Sequence, residues 1–168
     1  MSEIVAALVD WLPGTPLAGL VVDYRWSWPI CESLHFTGLV MIFGAVSFVD
    51  LRVLGLGSAI SFASTHRLIG IGFAGLVISA VTGAMFVSGT PDQYFYNAAF
   101  HWKLVSFAVL IVNMTVFYRF IFPHIRDLQA GESAPTMAKI SAAISLIALI
   151  GAMSAGRMLT FFRPTFIS

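Results

Sequence analysis

Residues 67–92 read RLIGIGFAGLVISAVTGAMFVSGTPD, and between Arg67 and Asp92 lie 24 residues without a formal charge. A helix needs about 20 predominantly apolar residues to cross a bilayer. This run is long enough, and its end, Ser88-Gly89-Thr90-Pro91-Asp92, reads as a loop. An ionised group in hydrocarbon is costly, so charges mark the span limits elsewhere too. Uncharged runs of 17 residues separate Glu32 from Asp50, 15 separate Lys103 from Arg119, and 17 separate Lys139 from Arg157. These reach spanning length when the flanking Lys and Arg stems snorkel outward. The pattern predicts an all-α integral membrane four-helix bundle, with spans near residues 29–51, 66–88, 97–122 and 137–160.

The composition agrees. The 168 residues are 58% hydrophobic and 10% charged, against about 25% charged in a soluble domain. The mean hydropathy is +0.90, which argues against a soluble or disordered chain. A net charge of +1 provides no field for nucleic acid. Cys31 is the single cysteine, so no intrachain disulfide forms. The prolines at 13, 16, 29, 91, 123, 135 and 164 fall outside the interiors of the expected spans. Ser27 and Pro29 suit the start of the first span, and Pro123 and Pro135 bracket the connection before the fourth.

An even number of spans puts both termini on one face, side A. Residues 1–28 precede the four-span domain, 29–168. Glu3 and Asp10 stand where a signal peptide would carry basic residues, so this segment is not read as one. Ile4, Leu8, Trp11 and Leu12 recur at helical spacing and predict an amphipathic helix in the interface. Trp11, Trp26, Trp28 and Trp102, with Tyr24, Tyr94 and Tyr96, map to side A, where amphipathic rings favour the headgroup layer. Side B carries Arg52, Arg67, Arg119, Arg126 and Lys139; side A carries Arg25, Lys103, Arg157 and Arg163. This bias orients side B to the cytoplasm and the termini to the periplasm.

The four histidines carry the candidate chemistry, because an intramembrane ionisable group is a functional candidate by default. His35 and His101 lie near side A; His66 and His124 lie near side B. Antiparallel threading pairs His35 with His101 and His66 with His124, each pair from two helices at matching depth. Bis-histidine haem ligation needs that arrangement. Arg25, Lys103 and Arg157 are available to haem propionates at side A, and Arg67, Arg119 and Arg126 at side B. His101 and His124 are 23 residues apart, about 34 Å along a helix against about 30 Å of hydrocarbon. The side B pair is therefore the weaker one, and a solvated loop position for His124 stands beside it.

Cys31, Glu32 and His35 share a helix face and, with His101, form an alternative small site suited to copper or another metal. Glu32-x-x-His35 has the spacing used in di-iron bundles, but the further carboxylates such a site needs are missing. A bond from Glu32 to His35, or to the helix start, is the plainer reading. Asp50 and Arg52 read as an interfacial ion pair holding the side B loop. Asn113, in mid-span, is expected to bond across helices. Gly70, Gly72, Gly75, Gly83, Gly151 and Gly156 mark close helix packing, and the methionines read as packing.

The stretch Trp28-Pro29-Ile30-Cys31-Glu32-Ser33-Leu34-His35-Phe36-Thr37-Gly38, followed by Asp50-Leu51-Arg52-Val53-Leu54-Gly55, resembles an uncharacterised family of small bacterial four-helix membrane proteins. That resemblance implies an interfacial N-terminal helix, a Pro-x-x-Glu-x-x-His-x-x-Gly element containing Glu32 and His35, and a place in the bacterial inner membrane. It implies no activity. The helix count and the histidines at both faces are also similar to four-helix b-type cytochromes.

Three functions follow from this reading. The first is a b-type cytochrome holding one or two haems and passing electrons to a redox partner or quinone. The second is a copper or other metal-site protein. The third is a cofactor-free scaffold or accessory subunit. Homo-oligomers are expected because the bundle leaves packing surface facing lipid. No nucleophile–base spacing, phosphate loop or paired carboxylates suggest hydrolysis or group transfer.

Overall fold

The computed structural model describes residues 3–162, which are helical with no strand among them. Helix α1 (Glu3–Trp11) leads through a 3-10 turn into α2 (Pro16–Val22), started by Thr15 as N-cap. The first long helix is α3 (Ser27–Leu54); α4 (Phe62–His66) and α5 (Ile69–Gly89) form the second long stretch. After α6 (Pro91–Phe95), α7 (Ala98–Val116) continues through a π turn, Phe117–Ile121, into α8 (Phe122–Ile125). Helix α9 (Thr136–Met158) completes the set. Four stretches are long and apolar enough to cross a membrane: Ser27–Leu54, Phe62–Gly89, Ala98–Ile125 and Thr136–Met158.

These limits lie within four residues of the expected spans at every end. Pro123 lies inside the third stretch, not beyond it. Its ring would clash with the carbonyl four residues back in a regular α-helix. The π turn just before it widens the helix there and carries the chain through. Arg163 and Pro164 fall outside the described residues.

Helix α3 packs along α5, α7 packs along α9, and α3 also meets α9. The lateral order is therefore α5–α3–α9–α7. Glycines set the first of these seams. A Cβ on Gly75 would lie 2.6 Å from the Gly38 carbonyl oxygen, and one on Gly38 would lie 2.7 Å from the Gly75 carbonyl oxygen. No side chain fits at either position, and the backbones approach accordingly. Gly72 faces Ala45 one turn on, and Gly151 of α9 receives Ser106 of α7.

The larger buried cluster is at side B. There Val49, Val53, Phe62, Ile121, Ile125, Ala134, Ala138 and Ala142 form one buried cluster. Arg52 is 1% exposed at this end. It donates to the carbonyls of Ile60, Glu132 (3.3 Å) and Gln129 (2.9 Å). Gly131 N–H also bonds the Ser58 carbonyl at 2.7 Å, and Phe62 N–H bonds the Leu128 carbonyl at 3.1 Å. The two side B loops are thus tied to each other and to the end of α3.

This corrects the expected Asp50–Arg52 ion pair. Arg52 does hold the side B loops, but through carbonyls. The one ion pair among the described residues is the exposed Arg126–Asp127 contact at 3.2 Å. Arg52→Met should lower stability by about 3 kcal/mol, because it removes three part-buried hydrogen bonds donated by a buried charged group. Thermal unfolding in detergent, followed by loss of helical signal, measures this.

Candidate functional site

The side A end of the α3–α5 seam holds the most developed polar cluster. His35 Nδ1 lies 2.8 Å from Thr82 Oγ1. The Thr82 hydroxyl has one proton, which it donates to the Ile78 carbonyl at 2.7 Å. With the hydroxyl proton on that carbonyl, Thr82 accepts from His35, the tautomer in which Nδ1 carries the proton and Nε2 is unprotonated. A hydrogen bond of this kind fixes ring orientation and tautomer in metal-ligating histidines. The His35 ring rests over Gly83, where a Cβ would stand 3.5 Å from it, and meets Phe86 edge-on at 5.6 Å between centroids.

One turn earlier on α3, the buried Cys31 Sγ donates to the Thr82 carbonyl at 3.6 Å and lies 4.0 Å from Met85 Sδ. Lys103, partly buried on α7, extends to Gly156 of α9. It packs over Phe107 at 5.9 Å. An imidazole, a thiol, a thioether and an ammonium therefore gather toward one end of the bundle.

His101 does not join them. It is exposed, and it precedes Lys103 by two residues. At 100° per residue it projects about 160° away from Lys103 on α7. Helix α7 has α9 as its long neighbour and does not pack along α3. The expected His35–His101 pair is not assembled within the chain, because α9 lies between their helices. Glu32 is likewise exposed and separate from the buried Cys31. No group of three or more His, Cys, Asp or Glu positioned to hold a metal ion occurs among the described residues.

At side B the histidines also part. His66 Nε2 pairs with Tyr118 Oη at 2.9 Å, and its ring packs on Phe122 at 4.8 Å. The exposed His124 turns back to its own helix, its Nδ1 lying 3.0 Å from the Phe120 carbonyl. The expected propionate partners are dispersed. Arg25 lies over Trp26 and Arg157 over Phe161, each at 5.9 Å, and Arg119 lies over Phe120 at 5.4 Å. Arg126 pairs with Asp127, and Arg67 closes α4 as its C-cap. Only Lys103 reaches the interior.

Sequence reasoning missed Thr82 and Met85, the partners of His35 and Cys31. The signal was present: Thr82 and Met85 are three apart on α5, matching the four-residue spacing of Cys31 and His35 on α3. No family model, curated protein or solved structure matches the chain.

Asn113 bonds across helices as expected. Its Nδ2 donates to the Ser141 carbonyl and its Oδ1 accepts from the Ser141 hydroxyl, both at 3.0 Å. Interhelical bonds in a bilayer contribute about 1 kcal/mol. Asn113→Ala, Ser141→Ala and the double variant should show a coupling of that size in a thermodynamic cycle measured in bicelles.

Proposed function

We propose that the chain is a bacterial inner-membrane electron carrier that binds one haem b at side A, with His35 Nε2 as the protein ligand to iron. The observation that supports this most is the Thr82 bond, which leaves Nε2 with a free lone pair. Neutral imidazole suits iron, the ring packs against Gly83, where a Cβ would touch it at 3.5 Å, and Lys103 is the interior cation for a propionate. Haem would supply the one-electron chemistry; the chain supplies ligand, burial and charge. His101, turned away on α7, is not part of this site. The electron partner is a membrane protein or a quinone, and exposed apolar faces such as that of α7 suit association with further copies. The interfacial placement of α1, where Ile4 and Trp11 are exposed, and the periplasmic position of the termini belong to the same proposal.

A copper site is the second reading, favoured by one distance. Taking about 2.3 Å for a metal–sulfur bond, two sulfurs 4.0 Å apart subtend about 120° at a shared ion. Thiolate and thioether donors select Cu(I). In this reading Cys31 and Met85 hold the ion, and His35 is the adjacent imidazole.

An absorption spectrum and metal analysis of the detergent-purified protein separate the two. The haem reading expects a Soret band that shifts on reduction, lost in His35→Ala, weakened in Lys103→Met and kept in His101→Ala. A colourless protein with stoichiometric copper, lost in Cys31→Ser and Met85→Leu, supports the second reading. A colourless, metal-free protein after expression with haem precursor and copper contradicts both and leaves the scaffold role.

A further inference from the structure

The two buried side-chain oxygens without a hydrogen-bond partner among the described residues are Asp50 Oδ2 and Ser47 Oγ. They belong to residues three apart on α3, neighbours on the helix surface. Asp50 is 8% exposed, more than nine-tenths buried, at the side B half of a membrane-crossing stretch. A carboxylate this enclosed needs a cation, a set of donors or a proton.

The surrounding elements supply no cation. On its own helix, Arg52 is committed to three loop carbonyls. On α9, the hydroxyl of the buried Ser145 faces the carboxyl as a hydrogen-bonding neighbour, and the nearest charged residue, Lys139, bonds Ser133 at the surface. On the π turn, the Tyr118 hydroxyl is taken up by His66 at 2.9 Å. A metal or sodium ion would need several further oxygen ligands, whereas a proton needs one. A buried acid left without a counter-charge neutralises by binding that proton.

We infer that Asp50 is a proton-binding site within the membrane, exchanging protons with the side B aqueous phase. The transfer is a simple proton exchange: the Asp50 carboxyl gains or loses H⁺. This inference does not depend on haem or copper at side A.

Infrared spectroscopy of the full chain in lipid vesicles at neutral pH tests it. The expected result is a protonated-carboxyl C=O band that shifts in D₂O and is lost in Asp50→Asn. Asp50→Asn should fold with unchanged helicity, since a neutral amide replaces a neutral acid. If it fails to fold, Asp50→Glu is the second variant and should move the band. A carboxylate band lost in Asp50→Asn, with no carboxyl band lost, overturns the proposal. So does thermal stabilisation of the wild type by sodium over choline that Asp50→Asn abolishes, which would mark a metal-cation site.

Discussion

The close approach of α3 to α5 is the constraint on which the other placements depend. With carbonyl oxygens of Gly38 and Gly75 occupying the space a methyl group would need, those two helices lock side by side in a fixed register. That register brings Thr82 opposite His35 and Met85 opposite Cys31. It also leaves the next face of α3 for α9, so that α7 can only pack beyond it. Hydrocarbon offers little hydrophobic drive between helices, and small-residue packing of this kind supplies much of the association energy.

The polar groups obey the same economy. Backbone and side-chain polar atoms in lipid must be satisfied from within the chain. Arg52 meets this rule by serving three carbonyls at once, tying the loops at side B into a closed end. Asn113 and Ser141 meet it reciprocally at mid-span. His35 meets it with one nitrogen and presents the other. Asp50 does not meet it with protein atoms alone, and the exceptions to full pairing are where chemistry belongs.

The number and approximate limits of the four long apolar helices were legible because charge is excluded from hydrocarbon, and that rule acts on a single chain position at a time. Helix order was not legible. Threading places spans one and three parallel and level, which made His35 and His101 look like partners. Which helices touch is decided by small residues on facing surfaces, and several helices carried them. Asp50 and Arg52 looked paired because they are two apart with opposite charge. Two residues apart on a helix point to different sides, and Arg52 found the loop carbonyls on its own side. The π turn could have been suspected from Pro123, whose ring a continuous α-helix would not accept without distortion.

The side-by-side order α5–α3–α9–α7 is measured most directly by paired-cysteine cross-linking in native membranes. In a Cys31→Ser background, Ala45→Cys with Gly72→Cys should form an intramolecular disulfide, since a Cβ on Gly72 would lie 3.1 Å from that of Ala45. His35→Cys with His101→Cys should not. Efficient intramolecular bridging of the second pair, with none in the first, would place spans one and three face to face and contradict the arrangement.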